Sequence, residues 1–207
     1  MDRNLLLKAN KHLKKNDPVM AGLIQTYQPF SFNENKTVKR PNHYHALIKT
    51  IISQQLSVKA AQTIQERLIK KQGGRIFNPK KLNALSDIEI RECGLSKNKV
   101  RYVRAISLAI IDKKLKFSKL EKLNDEEIIE ILIQYPGIGV WSAEMILMIS
   151  FKRLDVLPLG DLIIRKTMQR HYNLDESTSY DDYREIAKAW QPYRTIASRY
   201  LWASAAG

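Results

Sequence analysis

Apolar residues recur along this chain at the three-to-four-residue spacing of helices almost from end to end. The opening run, MDRNLLLKANKHLKKND, reads as an amphipathic helix rather than a signal peptide. Asp17, Pro18 and then Val19, Leu23 and Ile24 have the form of a capped helix start with proline just inside it. From Asn42, HYHALIKTIISQQLS carries Ala46, Leu47, Ile48, Ile51 and Ile52, a stripe wide enough for a buried helix. The next helix puts Val58, Ala61, Ile64 and Leu68 on one face and Lys59, Gln62 and Glu66 on the other. Ser86 with Glu89, and Asn124 with Glu127, have the spacing of capping boxes, in which side chain and backbone satisfy each other's donors. Between them SKNKVRYVRAISLAIIDKK places Val100, Val103, Ile106, Leu108 and Ile110 inside. DLIIRKTMQRHY, YDDYREIAKAW and YRTIASRYLWASAAG continue the pattern. Only RLDVLPLG has strand character, and it is short and carries a proline. KTVKRPN (36–42) and KKQGGRIFNPKK (70–81) read as loops. The expectation is an all-α fold of about ten to twelve helices. It is arranged as two helical lobes, approximately 45–155 and 1–44 plus 156–207, with a ligand cleft between them.

Composition narrows the partners. With 207 residues, 44% of them hydrophobic, the chain can bury a real core. Lysine and arginine number 35 against 21 acidic residues, a net charge of +14 that points to a polyanion; a merely basic surface is the alternative. The single cysteine, Cys93, excludes an internal disulfide framework and an all-cysteine metal cluster. His43 and His45, two positions apart on a helix, point in different directions, so satisfied histidines are expected rather than a zinc pair. No apolar stretch reaches membrane-spanning length, and an intracellular protein without membrane contact is expected.

The segment YPGIGVWSAEMILM (135–148) carries the chemistry of recognition. A helix over 125–134, the turn from Tyr135 through Pro136, Gly137 and Ile138 to Gly139, and a helix over 140–151 form a helix–hairpin–helix. Glycines at 137 and 139 admit backbone geometry that side chains would block and let a foreign group touch the main chain. The second helix begins with unpaired amides at its positive end, which favour a phosphate and grip a backbone without reading a base. An ordinary helix–turn–helix corner is the bland alternative. Asp161, in PLGDLIIRK, is most simply an N-cap. Yet it lies 22 positions after Gly139, the length of one helix and a return loop. That distance brings it back toward the start of the second helix. A carboxylate facing a nucleic acid is an odd choice unless positive charge develops there.

In these blocks the chain resembles the helix–hairpin–helix DNA glycosylases, in particular the alkylpurine branch (3-methyladenine DNA glycosylase II) in its compact form. The matching stretches are IISQQLSVKAAQTI (51–64), GLSKNKVRYV (94–103), YPGIGVWSAEMIL (135–147), DVLPLGDLIIRK (155–166) and WQPYRTIASRYLW (190–202). They occur in family order and cover most of residues 17–202.

The resemblance implies double-stranded DNA with damaged bases as partner, a monomer, a place in the cell where DNA is, and hydrolysis of the base–sugar bond after base flipping. It makes Asp161 the catalytic carboxylate, either stabilising the oxocarbenium-like sugar or orienting and deprotonating water. Trp141 stands where lyase-competent relatives have a lysine, which implies an abasic product without strand cleavage. Trp141, Trp202 and Met145 would line the base pocket, the indoles stacking on a cationic methylated purine. Core packing is the competing reading for Met145 and the preferred one for Trp190, Tyr193 and Tyr200. Gln55 or Leu56 would plug the duplex, with helix capping as the alternative for the glutamine. Gly137, Ile138 and Gly139 would meet the DNA backbone. Arg165, Lys166 and the SKNKVR segment would contact phosphates, unless they are solvated faces. The main-chain carbonyls of Ile133, Tyr135 and Ile138 would hold a monovalent cation, Na+ or K+, the only cofactor implied. Two rivals remain: a related glycosylase for mispaired or oxidised bases, and a non-catalytic helix–hairpin–helix DNA-binding module.

Overall fold

The structure, a computed structural model, describes residues 3–29 and 42–206, so the loop expected at 36–42 lies, apart from Asn42, outside the described residues. These residues fall into two compact units, divided at 39/40 and 151/152. The first unit opens with α1 (Arg3–Asn16) and α2 (Pro18–Thr26). Asp17 caps α2 through Met20 N at 3.0 Å. Buried, it also accepts from Tyr172 Oη at 2.6 Å and Trp190 Nε1 at 2.7 Å. Three donors compensate for the lost hydration of that carboxylate.

The second unit contains α3 (His43–Ser53), α4 (Val58–Gln72), α5 (Pro79–Ala84), α6 (Asp87–Glu92), α7 (Lys97–Ile111), α8 (Phe117–Leu120), α9 (Asp125–Leu132) and α10 (Val140–Ile149). The chain then returns to the first unit with α11 (Leu162–Tyr172), α12 (Tyr180–Ala187), a 3-10 turn (Lys188–Trp190) and α13 (Arg194–Ala206). There is no strand among the described residues, so the all-α expectation holds. Among the described residues there are thirteen α-helices against the expected ten to twelve, because short segments such as α5 and α8 also close into one or two turns. RLDVLPLG is irregular. Both capping boxes form, Ser86 with Glu89 and Asn124 with Glu127.

The core of the second unit comes from Leu47, Ile48, Ile51 and Ile52 of α3 and Val100, Val103 and Ile106 of α7, all essentially inaccessible. Three expectations need correction. Leu108 is 43% exposed, because helical spacing rotates it to the side opposite Val103 and Ile106. Ser107 takes the buried position instead, bonded to Val103 O and Tyr44 Oη. Val58, 82% exposed, begins α4 just after its cap Ser57 and turns outward. The expected 70–81 loop shrinks to 73–78: Lys70, Lys71 and Gln72 extend α4 until Gly73 turns left-handed at φ 72°, and Asn78 caps a new helix at Pro79.

The histidines are satisfied. His43 stacks on Phe151 at 4.4 Å between rings and bonds Ser150 Oγ at 2.7 Å and Glu121 Oε1 at 2.9 Å. His45 Nδ1 accepts from Phe77 N at 3.1 Å.

Candidate active site

The hairpin is α9, the turn 133–139 and α10. Ile138 N donates to Tyr135 O at 3.1 Å, which closes the turn. Gly137 adopts φ 82°, and a Cβ there would sit 2.2 Å from the Tyr102 ring. Its need for glycine is therefore internal: a left-handed backbone pressed against an aromatic face. Gly139 differs. It is the N-cap of α10 with an extended backbone, φ −95° and ψ 176°, and nothing lies within 4 Å of its Cβ direction. No side chain caps α10 there, so the helix start presents amide donors beside an exposed glycine. Ile138 is buried beneath the turn, whereas Ile133 and Val140 are exposed on it. The helices are shorter than the sequence suggested, ending at Leu132 and Ile149 rather than 134 and 151.

Trp141 and Met145 lie one turn apart on α10; Trp141 is partly exposed and Met145 only 5% so. Across from the hairpin, the loop 54–57 joins α3 to α4. Gln54 Nε2 donates to Gly137 O and to Ser142 Oγ, both at 2.8 Å. Gln55 is exposed and left-handed at φ 57°, and Leu56 is 40% exposed. Lys99 Nζ donates to Ile52 O and Gln54 O, both at 2.6 Å. Sequence reasoning grouped Lys99 with phosphate contacts in SKNKVR. The structure turns it inward onto the end of α3 and leaves Lys97 outside.

In the other unit, the segment leading to Asp161 is docked on the start of α13. Arg194 makes a paired contact with Asp155, Nε to Oδ1 at 2.8 Å and Nη2 to Oδ2 at 3.0 Å. Thr195 N donates to Leu154 O at 2.9 Å, and Val156 N donates to Thr195 Oγ1 at 3.1 Å. Asp161 then caps α11, Oδ1 accepting from Ile163 N at 2.9 Å and Ile164 N at 3.1 Å. The carboxylate is held in a set orientation at the positive end of a helix. Leu162 and Ile163 beside it are half exposed; Ile164, Thr167 and Met168 face the core. Arg165 Nη1 donates to Leu159 O and its guanidinium lies 5.6 Å from the Tyr180 ring centre, while Lys166 is exposed. Trp202 is 9% exposed on α13, beside the buried stripe of Ile196, Ala197, Tyr200 and Leu201. Trp190 and Tyr193 are core residues, as expected.

The sequence does not mark Gln54, Asp155, Arg194 and Thr195, nor the inward role of Lys99. Each acts on a partner at least 39 positions away, and no local spacing marks such a pair.

A glycine-turned hairpin with an open helix start and a separate helix begun by aspartate define a helix–hairpin–helix protein. The chain belongs to the HhH-GPD superfamily of base excision DNA repair proteins, whose family model matches residues 48–192. DNA-3-methyladenine glycosylase 1 of Schizosaccharomyces pombe is 32% identical over 202 residues, 95% of this chain and 86% of that protein. The crystallised 3-methyladenine DNA glycosylase of the same yeast, in complex with abasic DNA, superposes with a TM-score of 0.86 at 31% identity, covering 97% of each chain. YfjP of Bacillus subtilis is 32% identical over 167 residues, 78% of this chain, and is longer: the match spans 58% of it.

Proposed function

We propose that this protein is a monofunctional DNA glycosylase that releases alkylated purines of the 3-methyladenine and 7-methylguanine type from duplex DNA, leaving an abasic site. The observation that carries this reading is Asp161, a carboxylate fixed by two backbone donors at the start of α11. The names and coverage of the S. pombe relatives support it.

In this reading the open start of α10 at Gly139 holds a phosphate through main-chain amides. Gln55 or Leu56 fills the space left when the damaged base is extruded. Trp141 and Trp202 stack on that base, with Met145 behind Trp141. A purine methylated at N3 or N7 is cationic, and an aromatic face attracts it by about 0.5–2 kcal/mol. As the carbon–nitrogen bond breaks, its electron pair neutralises the departing purine and the sugar gains positive charge. Asp161 stabilises that charge and orients the water whose oxygen bonds to the sugar carbon and whose proton passes to the Asp161 carboxylate or to solvent. Trp141 carries no amine, so no Schiff base with the sugar forms at that position and the strand stays intact. Lys166 would contact phosphate through its exposed ammonium, and Arg165 through the part of its guanidinium not directed to Leu159. The carbonyls of Ile133, Tyr135 and Ile138 would hold Na+ or K+: oxygen donors suit such an ion, and the Tyr135 carbonyl, bonded once to Ile138 N, has a second lone pair. One copy suffices, because the hairpin, Asp161 and both indoles belong to one chain.

The test is free-base release from methylated duplex DNA by chromatography, with Asp161→Asn in parallel and half of each sample heated in alkali before the strands are sized. The expected result is methylpurine release by the native protein alone, with breaks only after alkali. Tight DNA binding without release by either protein would overturn the reading in favour of a binding module.

A further inference from the structure

The loop between α3 and α4 is held by polar contacts rather than by packing. A pocket of about 200 Å³ lies against it, lined by Ile52, Ile64 and Leu95 together with Gln54, Gln55 and Leu56. Apolar burial therefore does not set the shape of the tip. Gln55 nonetheless adopts a left-handed backbone at φ 57°, as the third residue of a type II turn that Leu56 N closes onto Ser53 O at 3.2 Å.

Two further contacts fix that turn to the rest of the unit, both through the residue just before Gln55. Lys99, in the first turn of α7, donates to the carbonyls of Ile52 and Gln54, both at 2.6 Å. The last carbonyls of a helix have no partner within it, and a cation there also opposes the negative end of the dipole. From the other side, the Gln54 amide is bonded to Gly137 O and Ser142 Oγ in the hairpin. Residue 54 is thus tied at its main chain to α7 and at its side chain to α10. The next residue can only project outward, as the exposure of Gln55 and Leu56 reflects. Burial lowers the pKa of Lys99 below the ordinary lysine value, in keeping with an ammonium withdrawn from water into this role.

We propose that Lys99 and Gln54 are positioning residues for duplex opening, presetting the Gln55–Leu56 tip in the shape that enters the DNA stack. The inference rests on the reading of that tip as the duplex plug. Lys99 touches neither the base nor the sugar. Its loss should slow extraction of the base and leave cleavage of an already unpaired nucleotide nearly as fast.

The experiment compares the native protein with Lys99→Met, Lys99→Arg, Gln54→Ala and Asp161→Asn in single-turnover release of 7-methylguanine. The lesion is placed either opposite cytosine or opposite an abasic-site analogue, where no partner needs to be separated. The expected result for Lys99→Met is a loss of about tenfold or more on the paired substrate, the scale of one charge-assisted hydrogen bond, and less than about threefold on the unpaired one. Lys99→Arg, which keeps the charge and the donors, should recover most of the paired rate, and Asp161→Asn should fail on both. Equal loss on both substrates by Lys99→Met, or no loss on the paired one, overturns the proposal. 2-Aminopurine beside the lesion reports unstacking in the same mixtures, independently of bond cleavage. If the native protein unstacks DNA without releasing base, the glycosylase reading fails while the positioning role is still decided: a reduced signal with Lys99→Met supports it and an unchanged one overturns it. Should Lys99→Met not fold, Gln54→Ala carries the same comparison.

Discussion

The side-chain amide of Gln54 bonds the main-chain carbonyl of Gly137 at 2.8 Å, across 83 positions of sequence. It joins the end of α3 to the tip of the hairpin, so two exposed segments, the 54–57 loop and the 137–139 turn, share one anchor. The ring of Tyr102 on α7 also lies against Gly137. The turn is thereby held by a hydrogen bond and an aromatic ring, which makes its shape a property of the whole second unit.

The two hairpin glycines should respond differently. Gly137→Ala would force a Cβ into the Tyr102 ring and a left-handed φ on alanine, and should cost roughly 2–4 kcal/mol in urea unfolding. Gly139→Ala meets open space on an extended backbone, so stability should change by less than about 0.5 kcal/mol. If Gly139 is where DNA meets the main chain, Gly139→Ala still weakens binding in a fluorescence-anisotropy titration. Unchanged affinity would place the phosphate elsewhere.

Asp161 has two roles in this account, helix cap and catalytic group, and two substitutions separate them. Asparagine caps a helix about as well as aspartate, whereas alanine loses about 1 kcal/mol. Asp161→Asn should therefore melt near the native temperature and Asp161→Ala a few degrees lower. Both should lose base release by about 100-fold or more, the scale of a lost electrostatic stabiliser. Activity retained in Asp161→Asn would reduce the residue to a cap.

Trp141→Leu tests cation–π stacking. Removal of the indole should lower the preference for cationic 7-methylguanine over neutral hypoxanthine by about 2- to 30-fold in kcat/KM. Equal losses on the two bases would mean that the side chain contributes shape alone.

Stability should fall in mild acid because of His45. Burial first, and then the nearby Lys49 charge, push its pKa down to about 4, against 6.5 for the free side chain. Between those values the unfolded chain takes up a proton that the folded one refuses, so stability is full above about pH 6.5 and declines as pH drops toward 4. Protonation at Nδ1 would also break the bond from Phe77 N. Urea midpoints measured from pH 7 to 4.5 should show this slope, and His45→Asn, which retains an acceptor, should flatten it.

Much of the architecture was legible in the sequence because its causes are local. The caps at Asp17, Ser86 and Asn124 act over three positions, and the buried faces of α3 and α7 follow helical spacing. Leu108 departs from the apolar pattern because its angular position on α7, not its apolar character, sets its exposure, and Val58 because a residue next to a cap turns outward. The glycine turn and the aspartate opening α11 likewise stood out by residue type and spacing, whereas the tryptophans at 141 and 202 were marked by the family resemblance.

What no spacing contains is which distant groups meet. Tyr102 behind Gly137, Gln54 on the hairpin, Lys99 on the end of α3 and Arg194 on Asp155 are encounters across 35 to 83 positions. A lysine on a basic helix looks like solvent-facing charge until the fold brings two unpaired carbonyls to its ammonium. The sequence by itself determined the helices, their caps and the chemical types available for a site. Only the tertiary structure decided which glycine is needed internally and which lysine is structural, because helix and cap energies are set by neighbours in the chain whereas hydrogen bonds and close packing depend on neighbours in space.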